Sequence, residues 1–175
     1  MHSSKDPASR SCTLRAILRA FFFLALCVCI TILLNYAFIP PSSVRINLHN
    51  LRNGQQYDTI FIGTSHGQYG IDPAAVDQAA GTSSVSLCMA DAYPDDMYYL
   101  LKLACETQSP SQVVYELDPS YWMNEQRNGS TQIFFYQDFP VSKARSSYFM
   151  DKITGLDFRS ALAPWSYYRN LYAQI

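Results

Sequence analysis

The residues best suited to covalent chemistry lie in a glycine-flanked segment, GTSHG, at positions 63–67. The segment directly follows the apolar run Thr59–Ile62, which is typical of a buried strand. A serine that leaves a strand through a glycine and enters a helix or turn presents its hydroxyl beside free backbone N–H groups. A nucleophile with an oxyanion site requires that arrangement. Ser65 is therefore the candidate nucleophile, and a turn serine bonded to its own backbone is the alternative.

Polar or small residues also follow two later strand-like runs, as Met89-Ala90-Asp91 and as Asp118-Pro119-Ser120. The carboxyl ends of parallel strands meet at one edge of a sheet, where ligands bind. The residues expected to line this pocket around Ser65 are Gly63, Thr64, His66, Ala90 and Asp118. Asp118 could instead only cap the next segment. His66 is not expected to contact Ser65, because consecutive residues leaving a strand usually point apart.

The elements that must position these residues alternate as strand, helix, strand, helix and strand. The strands are predicted at residues 59–62, 84–88 and 112–117, and the helices at 72–81 and 91–106. Asp72-Pro73 is a typical helix start and Gly81 a typical helix end. This order predicts an α/β fold, with a doubly wound parallel sheet and helices on both faces.

The N-terminal part of the chain has the composition of a membrane anchor. Residues 20–39 form an apolar run of 20 residues without a charge, about 30 Å long as a helix. Residues 1–19 carry four basic residues and one acidic residue, whereas the rest carries 9 basic and 13 acidic residues. A cleaved signal peptide is the alternative, but its apolar region is usually only about 7–15 residues and ends in a small-x-small site.

The basic flank predicts a cytoplasmic N-terminus and an extracytoplasmic domain. The predicted organisation is a basic N-terminus at 1–19, a transmembrane helix at 20–39, a juxtamembrane linker at 40–56 and the α/β domain at 57–175. The protein is thus expected at the cell membrane, with the membrane itself as a partner.

Composition argues against nucleic-acid binding, since the formal net charge is -1 and the pI near 6.3. No cofactor is expected. No metal site is expected either, because His2, His49 and His66 have no cysteine or carboxylate partners at ligand spacing. Cys88 and Cys105 could form one disulfide outside the cell, or remain buried thiols.

Three stretches of sequence resemble a known family: YDTIFIGTSHGQYGIDP, then YYLLK, then VVYELDPSYW. Together with the single preceding span, they look like the membrane-anchored branch of the SGNH/GDSL hydrolases related to the D-alanyl transfer protein of lipoteichoic acid synthesis. The resemblance covers roughly residues 57–125. It implies a flavodoxin-like α/β/α domain, an esterase or acyltransferase activity on an envelope glycan or lipid, and Ser65 as the nucleophile.

The chain departs from the family pattern at three blocks. The second block has Met89-Ala90-Asp91 in place of a glycine, the third lacks an asparagine until Asn124, and no histidine follows Asp118 to form the family's Asp-x-x-His. The family's triad is therefore not completed, and this chain by itself is expected to be inactive as a triad hydrolase. We expect either the front part of a longer protein or a shortened relative that binds without catalysing. A non-catalytic membrane-tethered binding or assembly protein remains the alternative, as does an unrelated α/β domain.

The region after Tyr121 is unusually rich in aromatic residues. They are Trp122, Phe134, Phe135, Tyr136, Phe139, Tyr148, Phe149, Phe158, Trp165, Tyr167, Tyr168 and Tyr172. These rings could form core packing, a platform for carbohydrate, a membrane-facing belt or a contact with a protein partner. Helices are predicted at 141–151 and 157–163, separated by Gly155.

Overall fold

The computed structural model describes residues 7–40, 42–123, 130–155 and 163–165. These residues form an α/β structure, with three short parallel strands and mostly helices. In chain order the elements are α1 (Pro7–Phe38), α2 (Ser43–Arg52), β1 (Thr59–Ile62), α3 (Ser65–Gly70), α4 (Pro73–Ala80), β2 (Ser84–Ser86), α5 (Pro94–Ala104), β3 (Gln112–Tyr115), α6 (Ser120–Met123), α7 (Ser130–Asp138), α8 (Lys143–Tyr148) and a π-helical turn (Phe149–Ile153).

The sheet has the order β2-β1-β3, and both pairs are parallel. Thr59 of β1 stands opposite Ser84 of β2 and Gln112 of β3. The predicted parallel α/β sheet is therefore confirmed. β2 and β3 each end two residues earlier than predicted, although Glu116 N–H still donates to the carbonyl of Ile62 at 2.8 Å.

β1 is the buried strand, with all four residues shielded from solvent, as its continuous apolar run predicts. Helix α5 packs against β1, and α2 and α4 pack against β2. β3 is less covered, and the side chain of Val113 is 39% exposed within the described structure. The core therefore lies around β1, which is also the strand that leads into residues 63–67.

The two predicted crossover helices form where their capping residues indicate. The Asp72 carboxylate accepts a hydrogen bond from Ala74 N–H at 3.0 Å, and Gly81 ends α4 in the left-handed conformation with φ 69°. α5 begins at Pro94, three residues later than the predicted start, because the Asp96 carboxylate accepts from the backbone N–H of Tyr93 at 3.0 Å.

The segment predicted as a juxtamembrane linker, residues 40–56, contains helix α2. Val44, Leu48 and Leu51 lie at helical spacing, and all three are buried. The Ser42 hydroxyl caps the helix by accepting from Arg45 N–H at 3.5 Å. The apolar stripe is interrupted by polar residues in the sequence, so composition alone indicated a linker where the structure has a packed helix.

Helix α1 contains one apolar stretch, Thr13–Phe38, whose 26 residues are long and apolar enough to cross a membrane. The side chains of this stretch are not buried within the protein. By internal contacts, the described residues up to Ile39 and the described residues from Pro40 to Pro164 belong to two different compact units. The helix starts earlier than the predicted span, because the basic N-terminal flank is itself helical from Pro7.

The aromatic region includes both core and surface residues. Phe135, Phe139 and Tyr148 are buried, which confirms core packing for these three, whereas Trp122 is 73% exposed. The helix predicted at 141–151 is present as α8 followed by the π-helical turn. Residues 156–162, which include most of the second predicted helix, lie outside the described residues.

The cysteines outside the apolar helix do not form a bridge. Cys88 is a buried free thiol and Cys105 is an exposed free thiol. Burial raises the pKa of the Cys88 thiol above its ordinary value. Of the two alternatives left open by the sequence, the structure therefore has the buried thiol at Cys88.

A buried polar contact joins α8 to α5. The Tyr148 hydroxyl donates a hydrogen bond to the Asp96 carboxylate at 2.8 Å, and both residues are almost fully buried. Burial raises the pKa of Asp96, because the charged form loses hydration. Lys152 also forms an ion pair with Asp95, at the start of the same helix. The start of α5 is thus bound to the α8 region by polar groups.

We expect Tyr148→Phe to lower the free energy of unfolding by about 1–3 kcal/mol, because the buried Asp96 carboxylate loses one of its donors. The measurement is urea unfolding of the full chain in detergent micelles. Tyr69→Phe is the control, since Tyr69 is 82% exposed and should tolerate loss of its hydroxyl. Equal unfolding midpoints for the two variants would contradict the prediction.

Candidate active site

The predicted site residues meet at the point where the strand order reverses. The chain passes from β1 to β2 on one side and then crosses to β3 on the other side of β1. In open parallel sheets, the crevice beyond the carboxyl ends of the two strands at such a switch point is the usual ligand site. Thr64 and His66 come to this crevice from β1, and Glu116 and Asp118 come to it from β3.

Ser65 is the first residue of α3, and Thr64 is its N-cap residue. The Thr64 hydroxyl oxygen accepts from the His66 backbone N–H at 3.4 Å. Ser65 is half-buried, and within the described ranges its hydroxyl has no hydrogen-bonding partner. The side-chain hydrogen bond to the backbone that is typical of a turn serine is therefore made by Thr64 and not by Ser65. This leaves the Ser65 hydroxyl available.

His66 and Asp118 form a close pair. Nδ1 of His66 lies 3.0 Å from Oδ2 of Asp118, with the imidazole 72% exposed and the carboxylate only 10% exposed. The expectation that the histidines lack carboxylate partners is therefore wrong for His66. The two residues are 52 positions apart, and the parallel pairing of β1 and β3 brings them together.

Asp118 also caps the next helix, because its Oδ1 accepts from the Ser120 backbone N–H at 2.7 Å. This bond, together with the hydrogen bonds from the Ser120 and Thr64 side chains and the proximity of His66, lowers the pKa of Asp118 to about 2. The carboxylate is therefore ionised at neutral pH. Asp118 combines the capping role that the sequence indicates with a second role as the partner of His66.

Glu116 is a site residue that sequence reasoning missed. Its Oε2 accepts from Thr64 N–H at 2.7 Å and lies 2.8 Å from the Thr64 hydroxyl oxygen. Alternate residues of an extended segment share one face, so Glu116 and Asp118 point the same way beyond β3. The two-residue spacing of Glu116 and Asp118 was therefore the signal in the sequence that could have identified Glu116 as a site residue.

Two glycines allow the strands and α3 to approach closely. A Cβ atom on Gly63 would lie 2.6 Å from Cβ of Glu116, and one on Gly67 would lie 2.6 Å from Sγ of Cys88. Both distances are shorter than van der Waals contact. Gly63 therefore makes room for the Glu116 carboxylate, and Gly67 makes room for the end of the β2 segment.

The backbone N–H groups of two predicted pocket residues already have acceptors. Thr64 N–H donates to Glu116, and Ala90 N–H donates to Oε1 of Gln68 at 2.9 Å. Ala90 thus lies at the same sheet edge as predicted, but its amide holds a side chain of α3. A substrate oxyanion at either amide would have to replace the present acceptor.

Comparison with known protein families, curated proteins and solved structures finds no match for this chain. The resemblance to SGNH hydrolases therefore stays a prediction that rests on the motifs. What the geometry contributes is an imidazole paired with an ionised carboxylate, directly after Ser65 in the chain, where a helix follows β1.

We expect Gly67→Ala to lower the free energy of unfolding by about 1–3 kcal/mol, since the new methyl group overlaps Sγ of Cys88. Urea unfolding of the full chain in micelles measures the change. Gly70→Ala is the matched control, because no atom lies within 4 Å of a Cβ at that position of the same helix.

Adding Cys88→Ala to Gly67→Ala should restore part of the lost stability, because the closest clashing atom is then removed. If Gly67→Ala and Gly70→Ala unfold at the same urea concentration, the close approach of α3 to Cys88 is not a constraint on the fold.

Proposed function

We propose that this protein is a membrane-anchored extracytoplasmic esterase or acyltransferase of the SGNH type, acting on a cell-envelope glycan or lipid. The observation that carries the proposal is the close pair of His66 and Asp118 at the switch point of a parallel sheet, directly after Ser65 in the chain. A nucleophile, an imidazole and an ionised carboxylate at one sheet edge are the groups that acyl transfer requires.

His66 is the proposed general base. The ionised Asp118 favours the tautomer in which Nδ1 carries the proton and donates to the carboxylate, so Nε2 keeps its lone pair. The Ser65 hydroxyl and the imidazole form no hydrogen bond in this structure. Because His66 is largely exposed, its ring has room to move toward Ser65 in the substrate complex.

In the proposed reaction, Oγ of Ser65 attacks the ester carbonyl carbon and its proton passes to Nε2 of His66. The tetrahedral intermediate then collapses, the ester C–O bond breaks and the leaving alcohol takes the proton from His66. Water or an acceptor hydroxyl attacks the resulting acyl-serine, with His66 again taking the proton. The bond between the acyl carbon and Oγ of Ser65 then breaks, and Oγ takes the proton back from His66. Water gives hydrolysis, whereas a glycan or lipid hydroxyl gives acyl transfer.

The apolar helix supports a location at the membrane. Its 26-residue stretch exceeds the about 20 residues needed to span the hydrocarbon layer. Four basic residues precede residue 20, which favours a cytoplasmic N-terminus and an extracytoplasmic site. Such a tether would hold the Ser65 site close to substrates in the envelope.

A non-catalytic membrane-tethered binding or assembly protein is the second candidate. Leu117, Trp122 and Met123 follow β3 and are all largely exposed, so apolar side chains are available beside the site. This function needs the fold and the tether but no base for Ser65. Absence of serine reactivity in the wild-type protein would favour it.

We expect a fluorophosphonate probe to label the purified full chain in detergent micelles and to leave Ser65→Ala unlabelled, because the probe reacts with an activated serine hydroxyl. His66→Ala should slow labelling by about 10²–10⁴-fold, the usual contribution of a general base. In-gel fluorescence against time gives the rates.

His49→Ala is the control for His66→Ala, since His49 is an exposed histidine of α2, outside the site. Equal labelling of the wild type and Ser65→Ala would show that another residue reacts. Equal rates for His66→Ala and His49→Ala would remove His66 as the base.

The proposed topology predicts different accessibility of two cysteines. In single-cysteine variants, a membrane-impermeant maleimide added to intact spheroplasts should label Cys105, which is an exposed thiol of the α/β domain. Cys12 precedes the apolar stretch and should react only after detergent is added. Labelling of Cys12 but not Cys105 in intact spheroplasts would mean the opposite orientation.

A further inference from the structure

His66, Glu116 and Asp118 form a cluster of metal-ligand types at the switch-point crevice. One ligand atom from each residue lies within 4.8 Å of the other two. The three side chains differ in exposure: His66 is exposed, Glu116 is half-buried and Asp118 is buried. The cluster is therefore anchored inside the protein and open to solvent through the imidazole.

The cluster has more negative charge than its protein partners balance. The Thr64 hydroxyl oxygen lies 2.8 Å from a Glu116 oxygen and 3.0 Å from an Asp118 oxygen, but a hydroxyl has only one proton to donate. The hydroxyl can therefore donate to only one of the two carboxyl groups. Two carboxylates held this close repel each other unless a cation or a proton lies between them.

Lysine and arginine do not balance this charge. In the described part of the chain, neither Glu116 nor Asp118 forms an ion pair with a lysine or an arginine, and the imidazole of His66 is the one basic group that contacts Asp118. Even a protonated His66 would leave the cluster with a net negative charge. A divalent cation bound by the neutral imidazole and the two carboxylates would bring the net charge of the cluster to zero and would remove the repulsion.

We propose that His66, Glu116 and Asp118 bind a divalent transition-metal ion. The 3.0 Å between Nδ1 of His66 and Oδ2 of Asp118 is the separation of neighbouring ligands in an octahedral shell, about 3.0 Å for bonds of about 2.1 Å. An imidazole nitrogen with two carboxylates suits Mn²⁺ or Zn²⁺ better than Mg²⁺ or Ca²⁺. Three protein ligands leave positions for water or a substrate oxygen.

Ion binding does not require Ser65 to be a nucleophile, but its effect on activity rests on the proposed function. An ion on Nδ1 takes the lone pair of that nitrogen, so the neutral ring must carry its proton on Nε2. Nε2 then cannot accept the Ser65 proton. The bound ion would therefore suppress the serine chemistry and act as a regulator of the site.

The test is Mn²⁺ binding to the purified full chain in micelles, after treatment with a chelator. Mn²⁺ is the probe because the free thiols of Cys27, Cys29 and Cys105 would also bind Zn²⁺. Electron paramagnetic resonance measures free Mn²⁺ against total Mn²⁺. We expect one saturable site, and Mg²⁺ at the same concentration should not displace the Mn²⁺.

His66→Ala and Glu116→Gln should each weaken Mn²⁺ binding by at least about tenfold, since loss of a supporting residue alone commonly costs 10–100-fold. The matched controls are His49→Ala and Asp91→Asn, which change exposed residues outside the cluster and should bind Mn²⁺ as the wild type does. His66 is exposed, so its variant should fold even if Glu116→Gln does not.

No saturable Mn²⁺ binding by the wild type would overturn the proposal, as would equal affinity of His66→Ala and His49→Ala. Fluorophosphonate labelling of Ser65 with and without Mn²⁺ then tests the regulatory consequence. If Mn²⁺ binds but labelling is unchanged, the ion site is supported and the assignment of His66 as the base is contradicted.

Discussion

The structure of the candidate site depends on the central position of β1 between its two parallel neighbours. The backbone bonds continue past the ends of the strands, because Met89 N–H donates to the carbonyl of Gly63 and Glu116 N–H donates to that of Ile62. These bonds hold the segments after all three strands in register. The path of the backbone at the start of residues 63–67 is therefore fixed by hydrogen bonds to the neighbouring segments of the sheet.

The absence of side chains on Gly63 and Gly67 is as important for the geometry of the site as the backbone hydrogen bonds between the strand ends. At Gly63 a Cβ would overlap Glu116, and at Gly67 a Cβ would overlap Cys88. Close approach brings the Glu116 carboxylate to the Thr64 amide and hydroxyl, which fixes the start of α3. The same approach places two carboxylates near His66, so the packing of the site and its negative charge have one cause.

Much of the fold could be predicted because its signals are local. The run Thr59–Ile62 indicates a buried strand, and Asp72, Pro73 and Gly81 indicate the limits of a helix through capping and backbone geometry. Helix α2 could not be predicted in the same way. The apolar stripe of Val44, Leu48 and Leu51 contains few residues, and tertiary contacts, including packing against β2, make the helix part of the domain.

The sequence by itself determined the order of the three strands and of the two helices that connect them, the apolar N-terminal helix and the place of Ser65 at a strand end. Only the tertiary structure decided that His66 pairs with Asp118 and that Glu116 joins them. His66 and Asp118 are 52 residues apart in the chain, and no local sequence pattern predicts that their side chains are in contact. Parallel pairing of β1 with β3 brings them together, because it aligns the carboxyl ends of strands that are far apart in the chain.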